Sequence, residues 1–138
     1  MFDECLRRLD RLTPESAPDW GSMTVAQMLA HCAEVQEVAN GKDLKGTPVI
    51  VRLFGPLIRR MVVSDRPYPR STRTHPQYVQ VEEHDFEMEK LRLLAALDSF
   101  VDAGPRASRH PIFGQMSAEE RGWSCYKHLD HHLTQFGV

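Results

Sequence analysis

Three of the chain's seven histidines stand within five residues near its end, in the run HLDHH from His128 to His132. On an α-helix with about 100° between residues, His128 and His132 lie one turn apart on the same face, beside an apolar stripe. That stripe consists of Cys125, Leu129, Leu133 and Phe136. His131 points away from it and is expected to face water. Two imidazoles at this spacing can direct their nitrogens at one transition-metal ion, but the same pattern also occurs by chance on solvated helix ends.

An earlier helix offers a third ligand. Thr24 and Gln27 have the spacing of a capping box, which predicts a helix from about Val25 to Asn40 that ends at Gly41. His31 lies on the flank of its buried stripe. A half-buried histidine more often bonds a backbone carbonyl than a metal, and the need for a third ligand is what favours the metal here. Three neutral imidazoles leave a coordination position open for water or substrate, as in catalytic zinc sites.

The remaining pattern predicts an all-α four-helix bundle in one domain, residues 1–138, with no convincing strand. Apolar periodicity places helices over about 2–12, 49–63 and 85–102, and a capping box at 117–120 opens the last one. The segment 49–63 should bend at Gly55-Pro56. A proline-rich extended connection then links it to the helix at 85–102. In such bundles, sites are built from side chains on facing helices, which suits the three histidines.

Composition indicates a soluble protein of ordinary charge. The chain has 138 residues, 41% hydrophobic and 26% charged, with a net charge of −2. No apolar run is long enough to span a bilayer, and the N-terminus carries acids where a signal peptide carries bases. Cys5, Cys32 and Cys125 are odd in number and each lies in an apolar helical stripe, so we expect reduced core thiols. These features predict a cytoplasmic protein without a membrane partner.

Residues 45–75 carry seven lysines and arginines against Asp65 alone among acids. A nucleic-acid surface is one interpretation of this stretch. We favour a solvated basic face instead, because acids follow directly at 82–89 and no RNA- or DNA-binding motif accompanies the bases. One or two of these arginines could still hold an anionic substrate. The sequence therefore predicts no nucleic-acid partner.

Three segments together resemble the DinB/YfiT-like metalloenzyme superfamily, in particular a branch of uncharacterised domains. They are Trp20 followed by MTVAQMLAH ending at His31, HPIFG from His110, and YKHLDHHLTQFG over 126–137. The resemblance covers nearly the whole chain. It implies that His31, His128 and His132 form the metal triad, with Gln135 in the place of the family's trailing glutamine.

The same resemblance implies a four-helix bundle, usually a homodimer, that binds zinc, nickel or another divalent ion. Characterised relatives include transferases and isomerases that use low-molecular-weight thiols such as bacillithiol or mycothiol. We therefore expect a metal-dependent transferase or hydrolase whose three-histidine site activates a thiol or water nucleophile on a small-molecule substrate. The alternative is a non-catalytic bundle that binds a small molecule or partner, with a structural metal or none.

Four further residues bear on this choice. His131 could replace His128 if the helix is rotated from the expected angle, and His110 could orient a ligand or the substrate. His131 or Asp130 as a fourth protein ligand would close the site and favour a structural metal. Glu34 is the best candidate for a general base, although an ordinary solvated glutamate is the simpler interpretation.

Overall fold

The computed structural model describes residues 2–72 and 74–138. Over these ranges the protein is mostly helical, which agrees with the predicted all-α class. The α-helices are α1 (Phe2–Leu9), α2 (Val25–Asn40), α3 (Val49–Leu53), α4 (Gly55–Val63), α5 (Phe86–Asp102) and α6 (Ala118–Gln135). A 3-10 helix spans Pro76–Tyr78, and two short strands, β1 (Ser108–His110) and β2 (Gly114–Met116), form an antiparallel hairpin.

Both helices that carry the histidines begin with a complete capping box, as predicted. In α2 the Thr24 hydroxyl accepts from the backbone N–H of Gln27, while the Gln27 side chain accepts from the N–H of Thr24. Ser117 and Glu120 make the same reciprocal pair at the start of α6. These bonds satisfy backbone donors that the first helical turn cannot pair internally, so the local sequence fixes where each helix starts.

The predicted bend near Gly55-Pro56 is a break between two helices. Phe54 ends α3, and Pro56 lies in the first turn of α4, where its missing N–H costs no hydrogen bond. Gly55 has a packing role as well. A Cβ on this residue would lie 2.9 Å from the backbone oxygen of Ile112, so glycine lets the hairpin loop approach α4.

The hairpin corrects the expectation that no strand is present. In a stretch for which neither a helix nor a strand was predicted, Ser108 pairs with Met116 and His110 with Gly114. Strands of three residues are too short for the alternation of polar and apolar residues that identifies a strand. Within the turn, His110 Nδ1 accepts from the backbone N–H of Ile112, and the His110 ring stacks on Phe113 with centroids 4.2 Å apart. These contacts assign His110 to the turn of the hairpin.

The core lies where α2 packs chiefly against α5 and also against α6, while α1 covers α6. Its most buried large side chains include Leu9, Met28, Leu29, Leu93 and Leu133. Cys5, Cys32 and Cys125 are all buried and free, so the prediction of reduced core thiols is confirmed. Among the described helices, none combines the length and apolar content needed to cross a membrane.

The connection between α4 and α5 packs onto α6. Lys127 donates to the backbone oxygens of Met61 and Ser64, at 2.6 and 2.8 Å, and the indole N–H of Trp123 donates to the Ser64 oxygen at 3.2 Å. Further along, the ammonium of Lys127 lies 4.3 Å from the centre of the Tyr68 ring. Two side chains of α6 thus hold the start of the connection close to the face that carries the histidines.

Candidate metal centre

His31, His128 and His132 come together between α2 and α6. One ring nitrogen of each lies within 4.8 Å of those of the other two. The Nε2 atoms of His31 and His128 are 3.0 Å apart, close to the roughly 3.3 Å that separates two nitrogen ligands of a tetrahedral zinc ion. The centre of the His132 ring lies 4.7 Å from that of His31 and 4.8 Å from that of His128. The residues that the sequence singled out are therefore placed where one ion could contact all three.

A backbone carbonyl fixes the ring of His31. Its Nδ1 lies 2.8 Å from the oxygen of Tyr78, at the end of the 3-10 helix. A carbonyl oxygen can only accept a hydrogen bond, so Nδ1 of His31 carries the proton. The lone pair is then on Nε2, which faces the other two histidines. A hydrogen bond of this kind at the remote ring nitrogen is the usual device that orients a metal-binding histidine.

A chain of two hydrogen bonds fixes the ring of His132. Its Nδ1 lies 2.8 Å from Oε1 of Gln135, and Nε2 of Gln135 donates to the backbone oxygen of Trp20 at 2.8 Å. Because the second bond uses the amide nitrogen of Gln135, the oxygen is left to accept, and His132 must donate from Nδ1. Gly21 adjoins this chain, since a Cβ there would lie 2.7 Å from Nε2 of Gln135.

His128 completes the set. His31 keeps its proton on Nδ1, so in the 3.0 Å contact between the two Nε2 atoms His128 is the donor. For Nε2 of His128 to bind a metal ion, this proton would move to Nδ1 of the same ring, which keeps the imidazole neutral. The chemistry of the three residues fits a borderline-soft divalent ion, because all are imidazoles with a nitrogen directed at a common centre.

Electrostatics keep the cluster in the protonation state that a metal needs. Burial lowers the pKa of His31 and, together with the charges of neighbouring histidines, lowers that of His128 well below its ordinary value. Burial likewise lowers the pKa of His132 to about 3, with further lowering from His31. All three are therefore neutral at pH 7. Metal binding requires neutral imidazoles, so no proton has to be removed from a cationic ring.

His131 does not face water as predicted. Its ring is half-buried and lies edge-on between Trp20 and Tyr68, with centroid distances of 5.8 and 5.7 Å. The prediction considered α6 as an isolated helix, on which His131 faces outward. In the folded protein, Trp20 and Tyr68 cover that face of α6. His131 also does not replace His128, because the group of converging ligand atoms consists of His31, His128 and His132.

Glu34 is neither a solvated glutamate nor a free base. Its side chain is buried and accepts hydrogen bonds from Lys42 at 2.7 Å, from Gln77 at 2.9 Å and from Arg92. Burial alone raises the pKa of this carboxyl, but the three hydrogen bonds outweigh it and the pKa is lowered. Asp130 is similarly engaged, at 2.6 Å from the guanidinium of Arg8. Neither carboxylate is directed at the histidines.

Several residues around the cluster were not predicted to have a role there. Tyr78 and Trp20 orient the histidines through their backbone oxygens, and a pattern of side-chain types in the sequence cannot predict such contacts. Tyr68 and Arg70 belong to the connection, and Arg70 is one of the arginines of 45–75 for which an anionic substrate was considered, whereas Tyr68 had no such signal. Arg70 lies with its Cζ atom 4.3 Å from the centre of the Trp20 ring. Aromatic rings and two cations, Arg70 and Lys127, therefore border the histidines on this side.

Comparison with known proteins gives a family and no characterised relative. Neither the curated proteins nor the solved structures include a match to this chain. A family match extends over residues 1–137, nearly the whole sequence. The chain belongs to the family described as "Protein of unknown function (DUF1569)".

Proposed function

We propose that this protein is a divalent-metal-dependent enzyme, a transferase or hydrolase whose three-histidine site activates a thiol or water nucleophile. One observation carries the proposal: three neutral imidazoles converge on one point, and within residues 2–72 and 74–138 no fourth histidine, cysteine or carboxylate joins them. Three protein ligands with an open position are typical of catalytic zinc sites, whereas structural sites are usually closed by four.

Zinc or nickel is the metal expected from an all-imidazole ligand set. When bound, such an ion lowers the pKa of a coordinated water or thiol and polarises a substrate carbonyl. The protein's part is to hold the ligands ready. The carbonyl of Tyr78 and the side chain of Gln135 fix two of the three rings before any ligand arrives. The dry surroundings of the histidines strengthen any electrostatic interaction with a substrate.

The alternative is a non-catalytic bundle with a structural metal or none, and a structural metal would need a fourth protein ligand. The two predicted candidates are engaged elsewhere. Asp130 pairs with Arg8, and His131 lies against the rings of Trp20 and Tyr68. This arrangement favours an exchangeable ligand in the fourth position, and with it catalysis.

We also propose that the family belongs to the DinB/YfiT-like superfamily. Support comes from the histidine pattern and from α2, which contacts both α5 and α6 while α1 covers α6, as in a four-helix bundle.

The protein is further proposed to be a homodimer in the cytoplasm. Large apolar side chains that a second subunit could cover are more than half exposed on α3 and α4: Val49, Ile50, Leu53, Phe54 and Leu57. Three free cysteines agree with a reducing compartment.

The test is activity of the untagged protein after loading with zinc or nickel. Low-molecular-weight thiols would be offered with an electrophile such as monochlorobimane, and simple esters with water as nucleophile. We expect turnover that depends on the metal, is lost in His128→Ala and is retained in His84→Ala, a histidine on a different part of the surface. Turnover that is the same with and without metal, or in both variants, would refute the proposed mechanism.

A further inference from the structure

Two buried side-chain donors have no hydrogen-bond partner in the described part of the chain: the indole Nε1 of Trp20 and the hydroxyl of Tyr78. Buried polar groups in folded proteins are nearly always paired, and an unpaired one carries a desolvation cost. An unpaired donor at a functional site is explained when a ligand supplies the acceptor. The residues that carry these two donors lie next to histidines.

Both donors belong to residues that already orient the histidines. The Tyr78 oxygen holds His31, and the two rings are perpendicular with centroids 6.2 Å apart. The Trp20 oxygen holds Gln135 and through it His132. The Trp20 ring meets His131 edge-on at 5.8 Å, and the His131 ring lies 5.1 Å from that of His132. Each residue thus combines a backbone oxygen that helps to hold the cluster in place with a side-chain donor that has no partner among the described residues.

A positive charge stands on the same side. The guanidinium of Arg70 lies over the Trp20 ring at 4.3 Å, a separation typical of a cation–π contact. Across the described residues, no carboxylate comes within ion-pair distance of it. The other cation on this face is engaged, because Lys127 donates to two backbone oxygens. Arg70 is therefore the charge that a ligand at the histidines could use.

We propose that the site takes a small carboxylate-bearing substrate, with Arg70 and the indole N–H of Trp20 receiving its carboxylate and the Tyr78 hydroxyl donating to its metal-bound end. The inference rests on the proposed function and names the substrate class of that site. An indole N–H and a guanidinium can only donate hydrogen bonds, while an ionised carboxylate can only accept them. A carboxylate therefore complements Arg70 and the indole N–H of Trp20. A charge-assisted hydrogen bond to the arginine would strengthen the binding of the carboxylate to the site.

The test compares two thiols that differ in charge at one end, 3-mercaptopropionate and 3-mercaptopropanamide. Each is titrated into the cobalt(II)-loaded full chain, and binding is followed by the visible absorption of the cobalt. We expect wild-type protein to bind the acid at least tenfold more tightly than the amide. Arg70→Gln should bring this ratio close to one, whereas Arg66→Gln, an exposed arginine of the same connection, should leave it unchanged. Comparing ratios removes any difference in thiol acidity between the two probes.

Tyr78→Phe gives an independent readout. It removes the unpaired hydroxyl but keeps the ring and the backbone oxygen that orients His31. We expect the melting temperature of the metal-free protein to stay the same or rise, while binding of 3-mercaptopropionate weakens several-fold. Tyr126→Phe, which removes a phenol from α6 away from the cluster, should leave that affinity unchanged. A lower melting temperature with unchanged affinity would show that the hydroxyl is structural and overturn its assigned role.

The outcomes separate the two proposals. If the protein takes up no cobalt, the proposed function fails and this inference fails with it. If cobalt and both thiols bind but the wild type treats acid and amide alike, the metal site stands and the carboxylate inference is overturned. The inference is also overturned if Arg66→Gln and Arg70→Gln reduce the preference equally, because the effect would then be a general one of surface charge.

Discussion

Two clusters of buried polar side chains lie about one helical turn apart on α2, and they differ in how completely they are satisfied. Around Glu34, three side chains donate to one buried carboxylate, those of Lys42, Gln77 and Arg92. Around His31, one ring nitrogen from each of three histidines faces the others. Two neighbouring side-chain donors, the indole N–H of Trp20 and the hydroxyl of Tyr78, have no hydrogen-bond partner among the described residues. Stability alone accounts for the first cluster. For the second cluster we propose that a bound ligand completes the arrangement.

The ion pairs around Glu34 join α2 to α5 and to Lys42, which follows the end of α2. Arg92 of α5 binds Glu37 at 2.7 Å as well as Glu34, and Lys42 binds both glutamates. Gln77 extends the cluster to the 3-10 helix whose last residue orients His31. The satisfied cluster thus supports the unsatisfied one. The following predictions use this contrast, beginning with the largest effect.

Acid should destabilise the metal-free protein through the histidine cluster first. The folded-state pKa values of His31, His128 and His132 are lowered from 6.5, so the unfolded chain takes up protons first as the pH falls. Their contribution is complete above pH 6.5 and is lost below it, by at most about 1.4 kcal/mol per pH unit for each histidine and only down to its folded-state pKa. Urea unfolding between pH 7 and 5 should show this slope, and His31→Gln/His132→Gln should reduce it.

Glu37→Gln is the matched control. Hydrogen bonding to Arg92 is the main cause that lowers the pKa of Glu37 from 4.5 to about 2, so its contribution is present above pH 4.5 and is lost only below it. The variant should be less stable than wild type by a nearly constant amount between pH 7 and 5. If it changes the slope in that range as much as the histidine variant does, the two clusters do not titrate separately.

Removing Arg92 should have the next largest effect. Arg92→Met removes one of the two cations that pair with the buried carboxylate of Glu34, and breaking a buried pair in this way typically costs about 3 kcal/mol. Urea unfolding at pH 7 measures the loss, with Arg7→Met on the outer face of α1 as control. A loss below about 1 kcal/mol would mean that Lys42 alone can compensate Glu34.

Gly21→Ala should affect the metal site more than the fold. Its Cβ would lie 2.7 Å from Nε2 of Gln135 and would displace the side chain that holds His132. Loss of such an orienting contact typically lowers metal affinity about 10- to 100-fold. Gly46→Ala is the matched control, because Gly46 has a similar positive φ, +66° against +81°, with no atom near the added Cβ. Zinc affinity measured by chelator competition should fall only in Gly21→Ala.

Local rules were enough to predict the helices and the triad. The capping box at Thr24 and the glycine at 41 bound α2 at Val25–Asn40, where the sequence placed it. The spacing of His128 and His132 depends only on helical geometry, so it needed no knowledge of the rest of the fold. His31 was chosen as their partner because a metal needs a third ligand and sites in a helical bundle form between facing helices, and the resemblance to a known family pointed to the same residue.

Tertiary contacts account for what could not be predicted. His131 was expected in water, but Trp20 and Tyr68 reach it from segments distant in sequence. The sequence does not show whether Glu34 is ion-paired or solvated, because its partner Arg92 is 58 residues away. The backbone oxygen that orients His31 belongs to a tyrosine 47 positions later and carries no side-chain signal.

The central claim, that three histidines hold a divalent metal, is tested most directly by elemental analysis of the purified, untagged protein. The comparison is with His31→Ala/His132→Ala and with His84→Ala/His110→Ala, which removes two histidines outside the cluster. We predict close to one zinc or nickel ion per chain in the wild type and in the second variant, and none in the first. Metal absent from the wild type even after incubation with zinc or nickel, or equal in all three proteins, would contradict the account.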